Sequence, residues 1–450
     1  MATVSAPARP EARAVKARTK FIFAIFIAFL WTLLSVWISA PWMRELGAVT
    51  HPLFALFAIT FIAYVPGFMN AFLVTSLLTD RRPERQLQAY YPGVTVLVAA
   101  YQESAAIADT LTSLANVDYP GHVEILILND GSTDDTSALA RAARERLMFS
   151  SSVEVRIIDF EVNRGKAAVL NSGLAMARHN LIVTIDGDTY MRRDALTHIV
   201  ERLLSDPVGT VAVAGAVLVR NSRVNLVTGA QEWDYFHGIA AVKRMQSMYH
   251  GTLVAQGAFS IYRKSALMAV SGWPETVGED IVLTWALLRR GSRIGYAEDA
   301  VVFTNAPTTV KQFALQRKRW SRGMIEALTH HEALLFMPRM TTMFIWWNLL
   351  FMPLDLTFTF VFIPGIIAAL FGIFWIAGPM TLAVLPLAAF WNLIIYRIQS
   401  RMMKSQGMKV RHNLVGLIFY LLFYTLVMQP VCVWGYGAEI AGLKKKWGTK

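Results

Sequence analysis

The chain has 450 residues, of which 55% are hydrophobic and 16% are charged, and its formal net charge is +12. So few charges are unusual for a soluble protein, and much of the positive excess flanks apolar segments, which argues for a membrane rather than nucleic acid as the partner. The single cysteine, Cys432, excludes disulfides within the chain and a cysteine-based zinc site.

The first 80 residues predict a basic cytoplasmic tail followed by two membrane-spanning helices. Residues 1–20 carry five cations among small residues, namely Arg9, Arg13, Lys16, Arg18 and Lys20. The apolar runs 21–40 and 52–78, which form the predicted membrane segment 21–79, are each long enough to cross a bilayer. The first run is too long for the apolar part of a signal peptide. Cations that follow the second run then place the next segment, residues 80–335, in the cytoplasm.

The middle of the chain predicts an α/β domain, because short apolar runs alternate with helical stretches. Strands are expected at 94–100, 123–128, 153–159 and 181–185, with helices at 104–116, 133–146 and 166–178. This alternation is typical of parallel βαβ units with right-handed crossovers. Further strands are expected at 211–219 and 293–298, and further helices at 225–248, 281–290 and 310–328. The last of these carries cations and Trp320, which favours a position along the membrane surface.

Residues 336–442 predict an interfacial helix near 341–350 and about three further spans, near 352–376, 381–396 and 414–436. A loop rich in cations between residues 397 and 411 is expected on the cytoplasmic side. One further span would put Lys444, Lys445 and Lys446, in the basic tail 443–450, outside. Either the last segment re-enters the membrane or the positive-inside rule fails there, and both alternatives stay open.

Two carboxylates follow the strand at 181–185. Asp186 and Asp188 are two residues apart, so in an extended chain they point the same way, about 6.5 Å apart. They lie at the carboxyl end of a strand, where open α/β sheets bind ligands. Such oxygen donors beside a phosphorylated substrate suit Mg²⁺ or Mn²⁺. The structural alternative is an ordinary Asp-Gly turn.

Two loops after other strands carry groups that suit a nucleotide. Asp130 follows a strand and could accept hydrogen bonds from a base or a ribose, although it also fits an ordinary turn. Residues 163–166, Asn-Arg-Gly-Lys, lie before a helix, where two cations and backbone N–H groups suit a diphosphate. The alternative there is a solvated loop.

Two later patterns suit chemistry on a sugar. Asp280, after Glu279, precedes an apolar helix and could act as a general base or simply cap that helix. Gln316, Arg319 and Trp320 fall on one helix face, where Arg can hold a phosphate and Trp can stack on a sugar ring. An interfacial helix would explain the same residues. If these five motifs were unrelated turns and helix caps, there would be no reason for them to occur together in this order along the chain.

In that order the motifs resemble those of the membrane-embedded processive β-glycosyltransferases of family 2. The group includes cellulose, hyaluronan and chitin synthases, the Nod-factor chitooligosaccharide synthase and bacterial poly-N-acetylglucosamine synthases. The resemblance runs from about Val94 to Gly323 and extends to the flanking spans. It implies an α/β GT-A domain in the cytoplasm, joined to an α-helical transmembrane region in the inner membrane.

The resemblance also implies roles for individual residues. Glu103 would lie near the uracil, Asp130 and Asp186 at the nucleoside, Asp188 on the metal, and Asp280 would be the catalytic base. Lys166 and Arg319 would stabilise the diphosphate, and Gln316, Arg319 and Trp320 would hold diphosphate and acceptor sugar. The partners would be a UDP-sugar, the growing polysaccharide, the lipid bilayer and, where one exists, a small accessory membrane subunit.

The implied reaction is an inverting, processive transfer that passes the polysaccharide through the chain's own spans. UDP-N-acetylglucosamine is the favoured donor, because the domain layout resembles the poly-N-acetylglucosamine synthases. However, Trp320 is followed by Ser321-Arg322-Gly323 where those enzymes usually have Ala-Gln-Gly. A β-glucan made from UDP-glucose therefore stays open, as does transfer of one sugar to a lipid carrier. A non-enzymatic transporter or scaffold is disfavoured, because the spans hold few ionisable residues, chiefly Asp355.

Overall fold

The computed structural model describes residues 16–81 and 85–444, so the expected tails lie almost wholly outside the described residues. Helix α1 (Ala17–Val49) and helix α2 (Pro52–Leu78) come first, as expected, and are followed by an α/β domain. Helix α1 begins before the predicted apolar run, at Ala17, directly after its N-cap residue Lys16.

One eight-stranded sheet forms the middle of the domain. Its strands are β1 (Val94–Ala100), β2 (Val123–Asn129), β3 (Val153–Asp159), β4 (Leu181–Asp186), β5 (Tyr190–Met191), β6 (Thr210–Val219), β7 (Phe259–Arg263) and β8 (Arg293–Thr304), in the order β3-β2-β1-β4-β7-β6-β8-β5. The first four strands are parallel, as predicted. Strand β7, which was not among the expected strands, is antiparallel to both of its neighbours.

Helices cover both faces of this sheet. They are α3 (Ile107–Ala115), α4 (Thr136–Arg146), α5 (Lys166–Met176), α6 (Ala195–Ser205), α7 (226–248), α8 (Lys264–Ala269), α9 (Glu279–Arg289) and α10 (Val310–His330), with a short 3₁₀ helix at Glu332–Phe336. Helix α7 contains a π-helical stretch, Asp234–Ala241, between two α-helical parts. Two apolar cores, one on each face, hold the sheet and the helices together.

Three long helices complete the chain: α11 (Met340–Leu370), α12 (Pro379–Ser405) and α13 (Leu414–Ile440). Within the described residues, α1, α2, α11 and α13 are the four helices long and apolar enough to cross a membrane. Helix α12 contains the expected span 381–396 but is not among them. The separate interfacial helix expected at 341–350 is wrong, because α11 runs through that stretch without interruption. Trp347 there is buried, and its ring lies 5.4 Å from those of Phe72 and Phe344.

Helix α10, which was expected along the membrane surface, packs along α13. A Cβ built on Gly435 of α13 would meet the Ser321 hydroxyl oxygen and lie 2.8 Å from the Lys318 carbonyl oxygen, so the two backbones touch. Arg322 Nε donates to Glu439 Oε2 over 2.7 Å, and Lys318 Nζ lies 3.4 Å from the centre of the Trp434 ring. The cations of α10 are therefore partly used to hold α13.

Candidate active site

Asp130 fixes the loop that carries the predicted diphosphate lysine. Its amide donates to the Ala100 carbonyl over 2.9 Å, which ties it to the end of β1. Its carboxylate accepts from the amides of Arg164 (2.7 Å) and Gly165 (2.9 Å), and the residue is 3% exposed. Gly131 has φ +64°, and a Cβ there would lie 2.5 Å from the Val162 carbonyl carbon. Asp130 thus positions the loop, while its direct contact with a nucleoside stays a prediction.

Lys166, the first residue of α5, joins two carboxylates across the site. Its Nζ lies 2.5 Å from Asp186 Oδ1 and 3.6 Å from Glu279 Oε1. Burial alone would lower the pKa of this lysine, but the two carboxylates outweigh it and raise that pKa. A Cβ on Gly257 would lie 2.6 Å from the same Nζ. The backbone of the loop before β7 therefore closely approaches the predicted diphosphate lysine.

The Asp-Gly-Asp turn lies at the same edge of the sheet. The Gly187 amide donates to the Ala99 carbonyl over 3.0 Å, so the turn is fixed to the end of β1. A Cβ on Gly187 would lie 3.1 Å from Glu103 Cγ, so Glu103 lies against the turn. Asp188 Oδ1 lies 3.3 Å from the Thr304 hydroxyl oxygen. Both acids and Glu103 thus share one end of the strands.

The oxygen donors around Asp188 fit a hard divalent cation. The described residues include no group of three or more His, Cys, Asp or Glu side chains that could hold a metal by themselves. Mg²⁺ usually takes only one or two protein carboxylates and completes its shell with water and substrate phosphates. Asp186 is paired with Lys166, so Asp188 is the carboxylate that would take the cation, together with the diphosphate.

Asp280 lies where α9 begins and faces the loop before β7. Its Oδ2 accepts from the Gly257 amide over 3.3 Å, and its Oδ1 accepts from the Ile281 amide over 2.8 Å. The N-cap of α9 is Gly278 and no side chain caps this helix, so Asp280 lies in its first turn without capping it. Neighbouring Glu279 is 6% exposed. Burial raises the pKa of Glu279 to about 7, although Lys166 works in the opposite direction.

Helix α10 brings its three predicted residues to the same site from the other side. Burial raises the pKa of Glu279, and the positive charge of Arg319 opposes that rise, which places the guanidinium near that carboxyl group. The Trp320 side chain is 39% exposed, and its ring lies 6.4 Å from that of Tyr235. Gln316 Oε1 is buried without a hydrogen-bond partner among the described residues.

Two residues on α7 reach the site without having been singled out in the sequence. Tyr235 is buried between the charges of Asp188 and Arg319, and burial raises its pKa to about 12. Lys243 is buried within reach of the charge of Asp280, and burial lowers its pKa to about 7. The sequence shows a helix rich in aromatic residues here, but the π-helical stretch shifts which residues face the site.

Comparison with known sequences agrees with this arrangement. The family model described as "Glycosyltransferase like family 2" matches residues 92–323. The poly-beta-1,6-N-acetyl-D-glucosamine synthase of Staphylococcus aureus is 31% identical over 281 residues, which are 60% of this chain and 66% of that protein. The protein of the same name from Staphylococcus epidermidis is 30% identical over 284 residues, with the same two shares. The match thus spans slightly less than two thirds of the length of these relatives.

A solved structure shows the same fold. It is a mannosyltransferase from Pyrobaculum calidifontis, in complex with GDP-Man and Mn²⁺, which superposes with a TM-score of 0.55 at 21% identity. The superposition covers 82% of this chain and 98% of that one. The α/β domain is therefore of the GT-A type, as the sequence predicted.

Proposed function

The chain belongs to glycosyltransferase-like family 2, and from this premise we propose that it polymerises a UDP-sugar into a β-linked polysaccharide. UDP-N-acetylglucosamine is the proposed donor. The names of the Staphylococcus relatives, which are 31% and 30% identical over 281 and 284 residues, support that sugar.

One observation carries the proposal: Lys166 connects the two halves that a sugar transfer needs. On one side it contacts Asp186 in the Asp-Gly-Asp turn, where a nucleotide diphosphate would sit with its cation. On the other side it lies beside Glu279, directly before Asp280. Groups from distant parts of the chain, to which we assign donor and acceptor roles, thus lie within one cluster of charges.

On the donor side, the residues act on charge. The departing UDP gains negative charge as the bond between C1 and the phosphate oxygen breaks. Lys166 and Arg319 stabilise that charge from opposite sides of the site. A divalent cation on Asp188, Mg²⁺ or Mn²⁺, would act there as a Lewis acid on the diphosphate. Asp130 contributes indirectly, because it holds the loop from which Lys166 projects.

On the acceptor side, Asp280 takes the proton from the acceptor hydroxyl while that oxygen attacks C1. UDP leaves from the opposite face, so an α-linked donor gives a β-linkage. The Gly257 amide donates to the Asp280 carboxylate and keeps it turned towards the loop before β7. No covalent bond to the protein forms. Trp320 holds the terminal sugar of the acceptor by stacking.

The proposal includes the fate of the product. The polysaccharide stays bound after each addition and passes through the apolar helices that surround the domain, which places the enzyme in the inner membrane of a bacterium. The catalytic domain faces the cytoplasm, where UDP-sugars are made. A small accessory membrane subunit is compatible with this arrangement.

The first test is incubation of the purified full-length protein with Mg²⁺ or Mn²⁺ and either UDP-N-acetylglucosamine or UDP-glucose. UDP release and product size are measured. We expect a polymer from UDP-N-acetylglucosamine, and we expect Asp280→Asn to reduce its formation by at least about 100-fold, the usual scale of general-base catalysis. Asp118→Asn is the matched control, since Asp118 is exposed and lies outside the site.

Each alternative outcome has a definite meaning. If only UDP-glucose gives polymer, the proposed donor is wrong and becomes UDP-glucose, while the proposed mechanism is unchanged. Addition of a single sugar to a lipid carrier would contradict processive synthesis. Full polymer formation by Asp280→Asn would remove Asp280 from the role of base.

A further inference from the structure

Arg317, the second residue of the Gln-Arg-Lys-Arg-Trp segment, has no assigned role in the proposed chemistry, yet it is 5% exposed. Its Nη2 donates to Asp234 Oδ2 over 2.8 Å, which links α10 to the π-helical part of α7. Its Nε has no hydrogen-bond partner among the described residues. The ion pair with Asp234 therefore fixes one end of the guanidinium and leaves its two flat faces available for other contacts.

Those faces contact aromatic rings. The guanidinium carbon lies 4.1 Å from the centre of the Trp320 ring, 5.1 Å from that of Phe313 and 5.7 Å from that of Tyr424. Phe313 and Trp320 are four residues before and three residues after Arg317, so all three side chains share one face of α10. Tyr424 belongs to α13. Arg317 thus connects α7, α10 and α13 at a single point.

The stacking matters for Trp320, whose side chain is partly exposed. An exposed indole can rotate about two bonds, and binding a sugar would have to restrict that freedom. The guanidinium at 4.1 Å covers one face of the ring and holds it in one orientation, which leaves the opposite face for a sugar. Stability alone gives little reason for the buried ion pair, because such pairs are often no more stabilising than apolar packing.

We propose that Arg317 is a positioning residue for the acceptor, which acts by holding the Trp320 ring against its guanidinium while Asp234 fixes that guanidinium in place. The inference rests on the proposed function, because it assumes that Trp320 stacks on the acceptor sugar. Arg317 itself touches neither donor nor acceptor. Its loss should therefore weaken acceptor binding and leave donor binding unchanged.

The experiment is a double-mutant cycle with Arg317→Gln and Trp320→Ala in the full-length enzyme. The KM for an N-acetylglucosamine oligosaccharide acceptor and the KM for UDP-N-acetylglucosamine are measured, with product length. In the wild-type background we expect Arg317→Gln to raise the acceptor KM by about 5- to 30-fold, the scale of a desolvated cation–π contact. In the Trp320→Ala background the same substitution should change it less than twofold, roughly the limit of additivity.

Arg322→Gln is the matched control. Arg322 lies on the same helix, is equally buried and is ion-paired to Glu439, but it contacts no ring of the site. It should lower the unfolding temperature and leave both KM values unchanged. If Arg317→Gln does not fold, Arg317→Lys keeps the charge but loses the flat stacking surface, and should give an intermediate acceptor KM.

Two results would overturn the inference. One is an equal effect of Arg317→Gln with and without Trp320, which would mean that Arg317 acts independently of the ring. The other is a raised KM for the donor alone. Failure of the proposed function is distinguishable from both, because wild-type enzyme would then make no polymer before any variant is compared.

Discussion

At the scale of single residues, the site is a balance of charges around Lys166. One lysine lies between Asp186 and Glu279, and Asp280 adds to the negative charge nearby. Burial raises the pKa of Glu279 to about 7, so this carboxyl group is partly protonated near neutral pH. The electrostatics of the site should therefore change within the range of pH in which cells work.

This leads to a prediction for Glu279→Gln. The unfolded chain releases the Glu279 proton near pH 4.5, whereas the folded chain keeps it up to about pH 7. Between these values the unfolded state binds fewer protons, so Glu279 lowers the free energy of unfolding as pH rises. We expect wild-type protein to lose more stability than Glu279→Gln between pH 5 and pH 8. Thermal unfolding across that range, in the same detergent, measures the difference, and parallel curves would contradict the prediction.

At the scale of elements, the position of Asp280 relative to Trp320 depends on close packing of α9 against α10. A Cβ on Gly323 would lie 2.7 Å from Gly278 Cα, and a Cβ on Gly278 would lie 2.5 Å from Gly323 Cα. Glu326 strengthens the contact, since its carboxylate accepts from the Val277 and Gly278 amides over 3.2 Å and 2.8 Å. Gly323 thus has a structural reason to follow the Trp320 motif.

Gly323→Ala should accordingly separate the base from the acceptor site. We expect a loss of stability of about 1–3 kcal/mol, the usual cost of forcing extra atoms into a packed interface, together with a fall in polymer formation of at least about tenfold. Gly437→Ala is the control, because a Cβ there meets nothing within 4 Å. Thermal unfolding and UDP release measure the two effects. Unchanged activity would show that the close approach is unimportant for catalysis.

The elements also show which parts of the fold were predictable from sequence. Asp186, Asp188 and Lys166 could be placed together, because parallel strands bring their carboxyl ends to one edge. Strand β7 was missed, since its five residues follow a stretch of small residues that shows no period. The interfacial helix was wrong because Trp347 suggests a membrane boundary in sequence, whereas its partners, Phe72 and Phe344, come from distant segments.

At the scale of the whole molecule, the α/β domain is joined to the apolar helices by its core. Tyr249, at the end of α7, is fully buried among Phe21 of α1, Phe72 of α2 and Phe344 of α11. Its hydroxyl group lies 2.9 Å from that of Ser76. The catalytic domain and the apolar helices therefore share one apolar core, and each buries apolar side chains against the other.

The contacts of α13 lead to a prediction about the side of the membrane on which the chain ends. Near its start, the Asn413 carbonyl accepts from Trp233 Nε1 over 2.7 Å, and near its end Glu439 is paired with Arg322. Because both ends touch the α/β domain, we expect the C-terminus on the same side as that domain. A C-terminal tag should be cleaved by protease in inverted vesicles and protected in intact spheroplasts. The reverse pattern would mean that α13 crosses the membrane.

Helix α10 has backbone contacts on two sides, with Gly278 before the proposed base and with Gly435 of α13. The backbones meet directly at the first contact and only the small Ser321 side chain lies at the second, so there is little compressible material between α13 and Asp280. Helix α10 is therefore a rigid connection between α13 and the start of α9. If the proposed polymer passes beside α13 and displaces it, α10 would pass that displacement on to Asp280. Movement of the product and proton transfer would then be mechanically coupled. A polysaccharide that cannot move forward would therefore itself stop synthesis.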